Sequence, residues 1–170
     1  AVRPADVTSV ESRLMAALGA GTAPLYVYIA AHGGQGETAK DNTIATWGGD
    51  GLTVGRMAEL SDNATRPLRM VVTTCFSGGF ADLAFEGADE TKGAAKADRC
   101  GLFSGTWDRE TSGCDPNPDR DAQESYSLYM LQALGGHDRK GKALALASVD
   151  FDGDGRIGLL DAHTHARIHA

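Results

Sequence analysis

Two side chains that could act together in nucleophilic catalysis each follow a short apolar segment. His32 comes directly after Leu25–Ala31, and Cys75 comes directly after Leu68–Thr74. A thiol attacks a carbonyl carbon as its thiolate, and a neighbouring imidazole can take the thiol proton. Gly33 lets the backbone approach a substrate closely, and the amides of Gly33 and Cys75 are candidate donors to a developing oxyanion. These residues predict a catalytic Cys–His pair, with a structural cysteine and an ordinary polar histidine as the alternative.

A second candidate site lies near the C-terminus, in the acidic segment DFDGDGRIGLLD. Carboxylates stand at positions 1, 3, 5 and 12 of a twelve-residue loop, and a glycine stands at position 6, where the loop of an EF-hand turns sharply. With the backbone carbonyl at position 7, the predicted calcium ligands are Asp150, Asp152, Asp154, Arg156 and Asp161. The alternative is a solvated acidic turn. Because no convincing helix precedes the loop, we expect a structural clamp rather than a calcium sensor.

Three histidines follow this loop on a predicted helix, Leu159–His169. His165 and His169 are four residues apart, so they lie on one face of that helix and could bind zinc. No carboxylate or third ligand is placed to help them. We therefore favour an ordinary surface helix for His163, His165 and His169.

The elements that must position these residues alternate along the chain between strands and helices. Leu25–Ala31 and Leu68–Thr74 are apolar at consecutive positions, as expected for strands of a parallel sheet that is covered on both faces. A third strand is predicted at Gly101–Thr106, and Glu86–Arg99 is predicted to be a surface loop. Helices are predicted at Ala5–Leu18, Thr53–Leu60, Gly79–Phe85 and Ser125–Leu134. This alternation predicts an α/β sandwich with a mostly parallel sheet, in which His32 and Cys75 end neighbouring strands.

Composition limits the classes of partner. The 170 residues carry a net charge of −7 without a basic stripe, which disfavours a nucleic-acid partner. No apolar run approaches the roughly 20 residues of a membrane span. The three cysteines match no metal-binding spacing. Their number fits one reactive thiol plus a disulfide between Cys100 and Cys114, or three reduced thiols.

Two strings around the candidate pair, YVYIAAHGGQG and VVTTCFSGGF, resemble the His and Cys motifs of caspase-like cysteine peptidases. That group includes legumains, metacaspases, gingipains and caspases. The string GLFSGTWDRETSGCD resembles the following sheet strand and pocket loop of legumains and metacaspases. The resemblance implies a three-layer α/β/α sandwich and a cysteine endopeptidase acting on peptide or protein substrates. The Asp at position 12 of the calcium loop resembles dockerin and related bacterial loops.

The resemblance also implies roles for individual residues. Cys75 would be the nucleophile, His32 the general base and proton donor, and Gly33 and Cys75 the donors to the oxyanion. Metacaspases usually carry an Asp two places before the cysteine, where this chain has Thr73. An acidic pocket would instead be formed by the loop after the third strand, which supplies Asp108, Glu110 and Ser112.

The sequence also predicts a domain organisation and leaves two alternative functions open. We expect a caspase-like domain over residues 1–141, and a calcium loop with its helix over residues 142–170 packed on the same domain. The family has one or two strands before the histidine strand, whereas one helix precedes it here, so a fragment of the chain's own precursor is a further candidate partner. One alternative is a catalytically inactive caspase-like binding module. Another takes HGGQGE as a phosphate-binding loop, but no GxGxxG fingerprint or Lys–Ser/Thr pair accompanies it.

Overall fold

The computed structural model describes residues 5–113, 119 and 122–170, which group into two compact units, Ala1–Glu110 and Thr111–Ala170. The first unit contains both residues of the candidate catalytic pair, and the second contains the candidate calcium loop. The sequence predicts a domain boundary after residue 141. In the structure, the helix Tyr126–Gly135, which precedes that position, belongs to the second unit.

The first unit contains both helices and strands, but four strands follow one another between its two α-helices, where the sequence predicts strict alternation. Its described elements run in the order α1 (Val7–Leu18), β1 (Leu25–Ile29), β2 (Gly33–Gly34), β3 (Thr43–Ala45), β4 (Gly51–Thr53), α2 (Val54–Ser61), β5 (Leu68–Val72) and β6 (Arg99–Phe103). Helix α1 begins where the carboxylate of Asp6 accepts a hydrogen bond from the Ser9 amide, and α2 begins where the Thr53 hydroxyl accepts one from the Arg56 amide.

The main sheet is parallel, with β5 in the centre between β1 and β6. Leu25 is opposite Leu68, and Ile29 is opposite Val72. The prediction of neighbouring parallel strands before His32 and Cys75 is therefore confirmed, as is the mixed α/β class. Each of these two strands is two residues shorter than predicted.

Only one face of this sheet packs on the hydrophobic core of the first unit. Leu68, Met70 and Val72 of β5 are buried there with residues of both helices, among them Leu14 and Met57. On the other face, Tyr26 is 68% exposed and Tyr28 is 49% exposed. The prediction that both faces are covered is wrong for β1. A tyrosine counts as apolar in a sequence pattern, yet its hydroxyl and ring tolerate contact with water.

A small antiparallel sheet of β2, β3 and β4 follows the histidine strand. It pairs Gly33 with Ile44, and the amide of Ala45 donates to the carbonyl of His32 over 2.9 Å. This sheet was not predicted from the sequence. It holds the backbone on both sides of Gly33 in one geometry.

The segment after β5 differs from its prediction. A 3₁₀ helix covers Ser77–Ala84, so it begins two residues before the predicted helix Gly79–Phe85. The expected surface loop Glu86–Arg99 contains two short 3₁₀ turns and ends in a buried residue. The Arg99 guanidinium donates to the Ser61 hydroxyl at 2.7 Å, the Asp62 carboxylate at 2.6 Å, and the carbonyls of Leu83 and Phe85. Arginine can be buried here because these oxygens satisfy its donors.

The second unit is described by helices α3 (Tyr126–Gly135) and α4 (Leu159–His169), with a 3₁₀ turn at Leu146–Ser148. Helix α3 begins at Ser125, whose hydroxyl accepts from the amide of Leu128, and it ends at Gly136, which adopts a left-handed φ of 68°. The predicted bounds of α4 are confirmed. Across the described residues, no helix combines the length and apolar character needed to cross a bilayer.

Candidate functional site

The register of the parallel strands brings the histidine and the cysteine to the same edge of the sheet. Ile29 is opposite Val72, and the amide of Thr73 donates to the carbonyl of Ile29 over 2.9 Å. His32 and Cys75 each lie three residues beyond this last pair. Spacers of equal length therefore follow the two strands at the same edge of the sheet. His32 is exposed, and Cys75 is half-buried.

Gly33 packs directly against the backbone at Cys75. A Cβ atom at position 33 would lie 3.0 Å from both the Cys75 carbonyl carbon and the Thr74 Cβ, and it would overlap the Cys75 carbonyl oxygen. Only glycine fits at this position. The residue that follows His32 is thus in contact with the residue predicted to be the nucleophile.

The amide of Gly33 points away from the small sheet. In an antiparallel pair the ladder bonds alternate between residues, and the carbonyl of His32 already accepts from Ala45. The next residue, Gly33, therefore directs its N–H group to the opposite side of its strand, away from β3. This orientation suits a donor to an oxyanion.

Backbone strain is located immediately after the cysteine. Phe76 has a φ of 58° and a ψ of 18°, the left-handed conformation that costs a residue with a Cβ about 1 kcal/mol or more. Its amide donates to the carbonyl of Arg109 over 2.9 Å, and its carbonyl accepts from the side chain of Asn42 over 3.0 Å. The turn that carries Cys75 is held from both sides in a conformation it would not adopt alone.

Asn42 is a site residue that sequence reasoning missed. It is 0% exposed, and all of its side-chain bonds go to loops at the edge of the main sheet. Its Oδ1 accepts from the Gly36 amide at 2.9 Å, and its Nδ2 donates to the carbonyls of Phe76 and of Trp107, the latter at 2.7 Å. Two acceptors on one side and a donor on the other fix the orientation of the amide. In the sequence it is one polar residue in a polar segment, so no local pattern identifies it.

Buried serines connect the cysteine loop to the end of β6. The hydroxyls of Ser77 and Ser104 lie 3.0 Å apart, and Ser104 also donates to the carbonyl of Thr74 at 3.0 Å. The amide of Gly105 donates to Ser77 over 3.1 Å. A Cβ atom at Gly78 would lie 2.6 Å from backbone atoms of the segment after β6. The third strand and its loop are therefore fixed beside the cysteine turn.

The predicted pocket residues are only partly brought together. Asp108 and Glu110 are exposed in the segment after β6, while Ser112 belongs to the second unit. The Asp108 carboxylate accepts from the Thr106 hydroxyl at 2.7 Å, and this hydrogen bond lowers the pKa of Asp108. The hydroxyl of Thr73 donates to the carbonyl of Ile29, so it serves the sheet rather than a pocket.

An apolar groove of about 610 Å³ runs beside the candidate pair rather than through it. It lies along α1 and β1, between Val10 and Leu14 on one side and Trp47 on the other, and it extends to Ala31. Its lining residues include neither His32 nor Cys75. We assign the groove no part in the chemistry.

The predicted calcium loop brings three of its four carboxylates together. Asp150, Asp152 and Asp154 offer oxygens that lie within 4.8 Å of one another. Asp150 accepts from the amides of Gly153 at 2.7 Å and Gly155 at 2.9 Å. Both glycines have a positive φ, 74° and 83°, which allows the chain to wrap around the cluster.

The fourth carboxylate and the amide of Arg156 have other contacts in the loop. Asp161 is buried in the first turn of α4 and accepts from the amides of Gly158 and Phe151, both at 2.8 Å. These two bonds lower the pKa of Asp161. The amide of Arg156 donates to Asp154 at 2.8 Å. Asp161 thus closes the loop onto the helix, and it is not part of the three-carboxylate cluster.

The histidines of α4 are not all on a surface. His165 is 6% exposed, so the surface-helix interpretation is wrong for this residue. Its Nδ1 has no hydrogen-bond partner among the described residues, and its ring lies 4.4 Å from that of His169, centre to centre. The Nδ1 atom of His163 lies 2.6 Å from the hydroxyl oxygen of Tyr126. Burial lowers the pKa of both His163 and His165. The contact between α3 and α4, which periodicity alone does not reveal, buries this side of the helix.

Of the remaining cysteines, Cys100 is exposed on β6. Cys114 lies outside the described residues, so its disulfide with Cys100 stays a prediction.

Comparison of the whole chain with known proteins gives no match: no family model, curated protein or solved structure is significantly similar to it. A function for this chain must therefore be inferred from its own residues.

Proposed function

We propose that this protein is a cysteine endopeptidase that hydrolyses peptide bonds with Cys75 and His32. The observation that carries the proposal is the contact of Gly33 with the Cys75 backbone at the edge of the parallel sheet. Equal spacers after paired strands, a strained turn at Phe76 and a Gly33 amide directed away from the small sheet support it. Strain at a turn is common where a reactive side chain must be held in place.

The chemistry follows from these positions. His32 takes the thiol proton, and the Cys75 thiolate attacks the carbonyl carbon of the scissile bond. The amides of Gly33 and Cys75 donate to the oxyanion of the tetrahedral intermediate. When that intermediate collapses, the C–N bond breaks and His32 gives its proton to the leaving amine. Water, deprotonated by His32, then hydrolyses the thioester, releasing the carboxylic acid and restoring Cys75.

We further propose a caspase-like three-layer α/β/α architecture for this peptidase. The order of the histidine strand, the cysteine strand and the third strand supports it, as does their parallel pairing. The additional layer would have to cover the face that exposes Tyr26 and Tyr28.

The substrate pocket would be acidic, because Asp108 and Glu110 follow β6 beside the cysteine turn, and Ser112 continues the same segment. Such a pocket favours cleavage after Lys or Arg, with cleavage after Asn as the runner-up. Fluorogenic peptides ending in Arg, Lys, Asn and Asp distinguish these outcomes. A clear preference for Asp would rule out an acidic pocket.

Calcium is proposed as a structural ion of the second unit. Asp150, Asp152 and Asp154 supply hard oxygen ligands at the expected spacing, and the Arg156 carbonyl and Asp161 would complete the shell. The ion would neutralise three clustered carboxylates and hold the loop against α4. We expect it to act through stability and not as a catalytic group.

Active-site variants test the proposed activity. We expect Cys75→Ala to abolish peptide hydrolysis and His32→Ala to lower kcat by orders of magnitude, while Cys100→Ala, the matched control, keeps its rate. Hydrolysis retained by Cys75→Ala would exclude this nucleophile. If the wild-type protein cleaves no peptide and its Cys75 reacts with iodoacetamide no faster than Cys100, the inactive binding module is the better interpretation.

A further inference from the structure

We propose that Asn42 is the positioning residue of this site, fixing the distance between the His32 loop, the Cys75 turn and the pocket segment. The inference rests on the proposed function, because it assigns how that same site is kept in a reactive geometry. Asn42 contacts no reacting atom, so its effect on the chemistry must pass through the backbone that it holds.

Asn42 joins three segments at the edge of the main sheet through one buried side chain. Gly36 belongs to the loop after His32, Phe76 follows Cys75, and Trp107 lies in the segment after β6. The three hydrogen bonds of Asn42 to their backbone groups measure 2.9, 3.0 and 2.7 Å. A movement of any one segment therefore breaks a bond that the buried amide cannot replace with water.

No other residue type fits the same three bonds. Asparagine supplies two N–H donors and one acceptor within a short side chain, whereas aspartate supplies acceptors only and serine a single donor. The surroundings leave no space for a longer side chain. A Cβ atom at Gly79 would lie 2.9 Å from Asn42 Nδ2, so the 3₁₀ helix already packs against the amide.

Asn42 also contacts the strained residue Phe76. Phe76 is held in its left-handed conformation by three bonds: its amide donates to Arg109, and its carbonyl accepts from the Gly79 amide at 3.2 Å and from the side chain of Asn42 at 3.0 Å. Without that donor the turn can relax toward a more favourable backbone conformation, which changes the direction of the Cys75 side chain. The bond to Trp107 would be lost together with it, so the position of the pocket segment should change as well.

The test compares Asn42→Asp and Asn42→Ser with Asn63→Asp, a matched control at an exposed turn position. Three quantities are measured on the folded full-length chain: the iodoacetamide rate at Cys75 by peptide mass spectrometry, kcat and KM for peptide hydrolysis, and the melting midpoint. We expect Asn42→Asp to slow Cys75 alkylation at least tenfold and to lower kcat by 10- to 100-fold. KM and the Arg-to-Asn cleavage ratio should change together because the Trp107 bond is also lost. Asn63→Asp should leave all of these values within twofold of wild type.

A merely structural role predicts a different pattern. It lowers the melting midpoint while the alkylation rate and kcat of the folded fraction stay within twofold of wild type, and that result would overturn the proposal. If Asn42→Asp does not fold, Asn42→Ser, which buries no charge, decides by the same criteria.

Failure of the proposed peptidase is distinguishable from failure of this inference. If the wild-type protein cleaves no peptide but its Cys75 is alkylated selectively, the peptidase proposal fails. The role of Asn42 is then decided by the alkylation rates alone. If wild-type Cys75 shows no selective reactivity at all, both proposals fall.

Discussion

Replacing Gly33 by alanine would place a methyl group against the backbone at Cys75, and the cost can be worked from the structure. The added Cβ would lie 3.0 Å from two carbon atoms and closer still to the Cys75 carbonyl oxygen. Since the nearest atoms belong to the backbone, no flexible side chain can turn aside. Either β2 or the cysteine turn must move, by about 1 Å. Such overpacking typically costs about 1–3 kcal/mol of unfolding free energy.

The same movement should affect the chemistry more than the stability. A displacement of about 1 Å at a catalytic site can lower the rate roughly 10²-fold. We therefore expect Gly33→Ala to lower kcat/KM for peptide hydrolysis, and the alkylation rate of Cys75, by about two orders of magnitude. The protein should still melt cooperatively, at a reduced midpoint.

Gly19→Ala is the matched control for this variant. Gly19 ends α1 with ordinary φ, and its added Cβ would lie 3.5 Å from its nearest neighbour, a normal contact. We expect this control to keep the wild-type rates and midpoint. If Gly33→Ala behaved like Gly19→Ala in all three measurements, Gly33 would not pack against Cys75, and the geometry that supports the catalytic pair would be wrong.

Three further predictions concern stability. Arg99→Ala leaves the Asp62 carboxylate without its buried partner, so urea unfolding should show a loss of about 3–5 kcal/mol; a loss below 1 kcal/mol would contradict this. A chelator should lower the melting midpoint of the wild type but not of Asp152→Ala, since the proposed calcium ion would bind only the folded loop; an unchanged wild-type midpoint would exclude the site. Burial lowers the pKa of His163 and of His165 in the folded chain. Below the unfolded histidine pKa of about 6.5, the unfolded chain therefore binds more protons than the folded chain. Melts should therefore show constant stability above pH 6.5 and falling stability from 6.5 to 5, and a midpoint that rose on acidification would contradict the assignment.

Much of the main sheet and most of the helices could be predicted from the sequence, because their patterns are local and long enough to show a period. Continuous apolar runs identified β1 and β5, and helical spacing with glycine stops identified α1 and α3. The glycines after each strand indicated where the chain turns out of the sheet. These signals also located His32 and Cys75. Their placement at the same edge of the sheet then followed from the strand register.

The remaining features depend on contacts between distant segments, which no local pattern contains. Strands β2, β3 and β4 have two or three residues each, too few for alternation to appear. Asn42 and Arg99 look like ordinary solvated residues until their partners, up to 65 positions away in the case of Asn42, are placed around them. His165 was assigned to a surface because burial by α3 cannot be read from the period of α4.

The equal three-residue spacers after Ile29 and Val72 should tolerate insertions and deletions less well than the exposed turns of the chain. One residue added to either spacer moves its end by up to about 3.3 Å and changes the direction of the following side chain. An insertion or deletion within residues 30–32 or 73–75 would therefore separate the two functional groups, although the hydrophobic core would still assemble. Exposed turns such as that around Gly48 and Gly49, where neither glycine has a close neighbour, could vary in length without this effect. Natural length variation and engineered insertions should accumulate in such turns and avoid the two short spacers.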